Sequence, residues 1–138
     1  MTARRPLVGR RGEALLFFAL LDAVYCFGLL TPPRPLTGQL AWMQGLLPLW
    51  VWAAAWGLVG ALCLIFAFTP RRDTVAFTGA VAIKVTWGLL SLFGWMAGAV
   101  DRGYISAVVW LVFAYFVFRV AGGIPPPWRP DGDHAWTR

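Results

Sequence analysis

The chain has 138 residues, 59% of them hydrophobic and only 13% charged, with a net charge of +6 and a mean hydropathy of +0.67. Soluble domains carry about 25% charged residues, so this composition excludes an ordinary soluble domain and places the chain in a bilayer. The positive charge is nearly all arginine set in short segments between apolar runs, which is a membrane-topology pattern rather than a nucleic-acid surface; no nucleic-acid partner is expected.

Residues 1–13 form a basic N-terminal tail with Arg4, Arg5, Arg10 and Arg11. The apolar run 14–30 follows and reads as an uncleaved first helix, because TPPRP comes after it and no small-x-small cleavage site precedes that segment. Asp22 lies within this run. The run stops at Thr31-Pro32-Pro33, where the prolines remove donors and bias the preceding residue to extended geometry. In the loop 34–48, Leu36, Leu40, Met43 and Leu47 recur at helical spacing. Two readings stay open there: a short helix on the membrane surface with Trp42 at headgroup depth, or a loosely structured apolar loop.

The second run, 49–69, starts with Trp50 and Trp52 at belt positions and carries Ala53, Gly57 and Ala61, a small-residue stripe along which another helix can approach closely. Pro70-Arg71-Arg72-Asp73 is a tight basic turn that makes the second and third runs antiparallel neighbours. The third run, 74–100, holds Lys84. At about 100° per residue, Ala80, Lys84, Gly88, Ser91 and Gly98 share one face, and Gly94 with Gly98 forms a GxxxG step. The fourth run spans 105–121. Trp95 and Trp110 are expected with Trp42, Trp50 and Trp52 in the outer aromatic belt. Trp56 and Trp87 lie deeper, where they pack or line a quinone or lipid pocket. Residues 122–138 form a proline-rich tail containing PPPWRP, a composition suited to a protein partner.

The fold class expected is all-α: an integral membrane four-helix bundle over 14–121, with spans 14–30, 49–69, 74–100 and 105–121. The N-tail, the 70–73 turn and the C-tail contribute eight arginines (Arg4, Arg5, Arg10, Arg11, Arg71, Arg72, Arg129, Arg138), while the other loops contribute Arg34 and Arg102. The positive-inside rule then puts both termini in the cytoplasm, at the inner membrane. Arg119 falls at the inner interface, where it is expected to meet Glu13.

A charge in the middle of an apolar helix costs a few kcal/mol on insertion scales, so Lys84 must face a partner. Asp22 is nine residues beyond Glu13 and Lys84 eleven beyond Asp73, so both sit roughly 14 to 17 Å from the inner face. They are expected to pair. The pair is a buried ion pair that fixes the register of the bundle, a contact between subunits, or part of a polar path for ions, protons or a small solute. Cys26 and Cys63 fall at different depths, too far apart for a disulfide, and read as packing residues. The sequence contains no Gly-rich phosphate loop, no nucleophile with a histidine base, and no HExxH or CxxC spacing, and His134 has no cysteine or second histidine near it. No catalytic residue, metal site or cofactor is expected, and the protein reads as non-enzymatic.

In size, multiple short spans, basic inner ends and paired intramembrane charges, the chain resembles the small four-helix membrane proteins of bacteria and bacteriophages called holin-like. Its arginine, alanine, glycine and tryptophan bias is similar to that of a high-GC bacterium. The resemblance lies in topology and carries over no functional residue. It implies a homo-oligomer that permeabilises the cytoplasmic membrane. The alternatives are a non-enzymatic scaffold or anchor that binds a partner through its tails, and a small-solute or ion transporter subunit.

Overall fold

The computed structural model describes residues 10–69 and 73–123. Every regular element among them is a helix: α1 (Arg10–Leu30), α2 (Gly38–Leu46), α3 (Leu49–Ala67), α4 (Asp73–Met96) and α5 (Gly103–Gly123). The N-tail over 1–9, Pro70, Arg71 and Arg72 of the expected turn, and the proline-rich segment over 124–138 with its partner role lie outside the described residues. Three helices are long and apolar enough to cross a membrane: Arg11–Leu30, Leu49–Ala67 and Asp73–Met96. The apolar stretch of α5, Gly103–Arg119, is shorter.

Each long helix turns one seam inward, and the seams share a repeat of alternating four- and three-residue steps. On α3 the seam is Leu49, Ala53, Trp56, Gly60, Cys63 and Ala67; on α4 it is Asp73, Phe77, Ala80, Lys84, Trp87, Ser91 and Gly94. On α1 it runs Arg11, Leu15, Phe18, Asp22, Tyr25 and Leu29, and on α5 Gly103, Ala107, Trp110, Ala114, Val117 and Ala121. A repeat averaging 3.5 residues keeps a stripe facing its partner along the whole helix, the packing mode of left-handed bundles. α1 lies against α3, α4 against α5, and α3 against α4.

Small residues set the close approaches. A Cβ on Gly60 would stand 3.2 Å from the Asp22 Cβ and 3.4 Å from the Ala19 carbonyl oxygen, and one on Gly88 would stand 3.1 Å from the Leu111 Cγ. The stripe expected at Ala53, Gly57 and Ala61 divides: Ala53 is buried, Gly57 faces Cys26, and Ala61 is exposed. The reason is geometric, since steps of four drift off a seam that alternates four and three.

Two further expectations are corrected. α4 ends at Met96 rather than Val100: Gly98 adopts φ +70°, and the amides of Ala99 and Val100 both donate to the Gly94 carbonyl at 2.8 and 3.1 Å. Gly98 is thus a left-handed turn glycine beyond the helix, with no GxxxG packing role. Gly94 keeps a packing role, because a Cβ there would stand 3.0 Å from the Trp42 ring. Trp110 belongs to the core, not to an outer belt, because position 110 falls on the α5 seam; Trp50 and Trp95 are exposed.

The core has two parts. Leu15, Phe18, Ala19, Cys63, Ala67, Ala76, Phe77, Ala80 and Val117 pack where α1 and α4 begin and α3 and α5 end. Leu29, Met43, Leu49, Ala53, Trp56, Trp87 and Trp110 pack at the opposite end, under α2. Within the loop 34–48, Gly38–Leu46 forms a helix, with Leu36 and Leu47 of the expected stripe outside it. It is tied down by Trp42 Nε1 donating to the Leu90 carbonyl at 3.2 Å and Trp52 Nε1 donating to the Met43 carbonyl at 3.2 Å.

Candidate functional site

Asp22 and Lys84 occupy middle positions of the α1 and α4 seams, at the junction of the two core halves. Lys84 Nζ donates to Asp22 Oδ1 at 2.7 Å, and both side chains have 0% exposure. The contact lies within one chain. Ring faces surround the ammonium group: its nitrogen is 5.3 Å from the Trp56 ring centre, 5.7 Å from Phe18 and 5.8 Å from Phe113. The negative face of each ring offers a desolvated cation part of what hydration supplied. α3, α1 and α5 each contribute one ring.

The pair is therefore neutral as a unit and closed to solvent. Attraction between its members offsets their desolvation, so the pair adds little net stability, but loss of one member would strand the other. Among the described residues, two buried polar side-chain atoms have no hydrogen-bond partner: Asp22 Oδ2 and Trp56 Nε1. Both belong to residues of this cluster. The carboxylate is thus held through one oxygen, and the indole takes part through its face.

Of the deeper tryptophans, Trp56 is buried among rings, whereas Trp87 lines a groove of about 360 Å³ together with Tyr25 and Leu40. Tyr25 stacks on Trp56 with ring centres 4.6 Å apart and planes 20° apart, while Trp87 and Trp110 meet Trp56 edge to face at 5.5 and 5.4 Å. These rings close the space around Trp56. Cys26 and Cys63 are both free thiols.

A second ion pair joins the same two helices. Arg11 Nε donates to Asp73 Oδ2, Arg11 Nη1 donates to the Ala121 carbonyl at 2.7 Å, and the guanidinium lies 5.1 Å from the Phe77 ring centre. Arg11 and Asp73 are separated by 62 residues, as are Asp22 and Lys84. Two contacts at one offset, eleven residues or about 16 Å apart along each helix, hold α1 and α4 parallel and in one register.

The Glu13–Arg119 pair expected at this end is not among the ion pairs of the described residues, and both side chains are exposed. Each stands two residues off its seam, about 200° around the helix, and so projects outward. Arg11 and Asp73 take the inward place.

At the far end a polar cluster docks α2 on α4 and α5. Gln39 Nε2 donates to Ser91 Oγ at 2.7 Å, Ser91 Oγ donates to the Trp87 carbonyl at 2.8 Å, and Ser106 Oγ donates to Gln39 Oε1 at 3.4 Å. Ser91 was legible from the sequence as a packing position; its partners Gln39 and Ser106, together with Arg11, Asp73 and Gly60, were not. The 4-3 spacing counted outward from Asp22 and Lys84 reaches Arg11 and Asp73, and counted along α3 it reaches Gly60.

Further grooves open on the surface of the described residues. One of about 310 Å³ runs between α1 and α3 beside Ala23, Gly57 and Ala61; one of about 450 Å³ runs between α4 and α5 near Arg11; one of about 630 Å³ lies beside α2, with Arg34 and Trp50 on its wall. Compared with protein-family models, curated proteins and solved structures, the chain matches none of them.

Proposed function

We propose that the chain is an integral protein of the cytoplasmic membrane that crosses the bilayer four times with both termini inside and serves as a non-enzymatic anchor or scaffold. It acts through its surfaces and tails and not through a conduit in its interior. The observation that carries this reading is the closed Asp22–Lys84 pair: charges buried at 0% exposure behind three rings offer no path to an ion or a solute. The fourth crossing is assigned to α5, whose apolar stretch has the minimal length of about 17 residues for a span. Eight arginines at one set of ends set the orientation.

A holin-like oligomer is the second reading. It is favoured by the groove between α1 and α3, where exposed Ala23 and Ala61 flank Gly57 and leave room for a helix of another copy. Regulated expression separates the two readings. The anchor accumulates in the membrane while the membrane potential, read with a voltage-sensitive dye, stays constant and growth continues. Abrupt depolarisation with growth arrest would contradict the anchor reading and establish the holin-like one.

A further inference from the structure

We propose that the groove beside α2, where α1 stops and α3 begins, binds one anionic phospholipid, its phosphate at the Arg34 guanidinium and an acyl chain against Leu30 and Trp50. This inference rests on the membrane-spanning reading above, in which this is the outer end of the bundle. The groove has a volume of about 630 Å³, and leucines from α1, from α3 and from the loop between α1 and α2 line it together with Pro32 and Pro48. The prolines hold φ fixed, so this wall loses little freedom when a ligand settles on it. Leu30 and Trp50 are exposed large apolar side chains at the ends of their helices, where a hydrocarbon chain runs on from the groove along α1 and α3.

The groove carries side-chain donors and, among the described residues, no carboxylate. The exposed Arg34 forms neither an ion pair nor a hydrogen bond with any described residue, so its planar fork of donors is open to a phosphate, whose geometry it matches. Gln44 Oε1 accepts from the Leu49 amide at 3.1 Å, which orients the side chain and leaves Nε2 as a donor without an acceptor among the described residues. The Trp50 indole N–H also lacks an acceptor there, whereas the nearby Trp42 and Trp52 donate theirs to backbone carbonyls. An exposed indole of this kind suits headgroup depth, with its ring on hydrocarbon and its N–H toward polar groups. A free cation and two free donors beside an apolar wall complement a ligand with an anionic head and a hydrocarbon tail. The groove between α1 and α3 is an internal control, since it is apolar but has no charged residue on its wall. It would accept an acyl chain without regard to the headgroup.

The test uses the full chain. Membranes are first washed with carbonate; release of the chain without detergent would overturn the membrane reading, and the lipid site with it. Protein extracted in detergent is then titrated with phosphatidylglycerol or with phosphatidylcholine of the same acyl chains, and retained lipid is counted by native mass spectrometry. The site predicts that one phosphatidylglycerol is retained about fivefold more strongly than phosphatidylcholine, the factor expected of one basic residue near a membrane surface. Arg34→Gln lowers phosphatidylglycerol retention by about fivefold and leaves phosphatidylcholine unchanged. Arg102→Gln makes the same charge change at the same end of the bundle, in the exposed turn before α5, and preserves the preference, as does Ala61→Trp in the control groove. Excess inorganic phosphate leaves the bound lipid in place, because the acyl chain contributes to its retention. Equal retention of the two lipids, a preference that survives Arg34→Gln or is lost in Arg102→Gln, or displacement by inorganic phosphate would overturn the proposal.

Discussion

The two ion pairs between α1 and α4 have the same sequence offset and opposite circumstances. Lys84 and Asp22 are wholly buried among rings, while Arg11 and Asp73 stand at the end of the bundle with side-chain exposures of 12% and 7%. The first can be relieved by no solvent, so it acts as an all-or-none lock on register. The second has a backbone carbonyl as well as a carboxylate for its guanidinium, and it stands at the helix ends with the guanidinium partly exposed. Register in this bundle is thus set twice, once at high cost of failure and once at low cost.

Single substitutions break the comparison most sharply. Lys84→Met strands Asp22, and Asp22→Leu strands Lys84; each is expected to cost about 3 to 5 kcal/mol, read as the unfolding midpoint in detergent micelles. Arg11→Gln should cost about 1 to 3 kcal/mol, the range for a hydrogen bond to a charged group, and leave helix content by circular dichroism unchanged. A result as large as that for Lys84 would show that the two ends are not distinct.

The close approach that seats Asp22 provides the next test. Gly60→Val pushes a branched side chain against the Asp22 Cβ and the Ala19 carbonyl, and is expected to cost about 1 to 3 kcal/mol. Gly98→Ala meets no neighbour but must adopt a positive φ, so its cost of about 1 kcal/mol would come from the backbone alone. The smallest effect is expected at the α2 end. Gln39→Ala removes the donor to Ser91 and should cost about 1 kcal/mol, seen as faster amide exchange confined to α2 while α4 stays protected.

The sequence revealed depth better than azimuth. Counting residues from the basic ends placed Asp22 and Lys84 at one height, and their contact follows from height together with the cost of a lone charge in an apolar helix. Height alone could not choose between Arg11–Asp73 and Glu13–Arg119, since all four residues lie near the same end. The choice depends on which side of each helix turns inward.

In a soluble bundle apolar residues reveal that side, but here Phe17, Leu20, Val24 and Phe27 are exposed on α1 and are as apolar as the buried Leu15 and Phe18. The inward side is marked instead by what departs from large aliphatic character: Asp22, Gly60, Cys63, Ala80, Lys84 and Ser91 all lie on a seam. Trp110 shows the same limit. Tryptophans are common both at interfaces and in this core, and only the seam position of residue 110 tells the two apart. The stripe of Leu36, Leu40, Met43 and Leu47 left a short helix and a loose loop both open, because so short a segment bounded by prolines carries only one or two turns of pattern; α2 forms over Gly38–Leu46 and contains Leu40 and Met43 of the stripe.

A double-mutant cycle on Asp22 and Lys84 tests the central claim most directly. Unfolding free energies in micelles are measured for the parent chain, Asp22→Leu, Lys84→Met and the double variant. If the pair is a closed contact within one chain that fixes the register, the double variant recovers most of the single losses, with a coupling of about 3 kcal/mol and no dependence on protein concentration. Additive losses, or a coupling that vanishes on dilution, would contradict it.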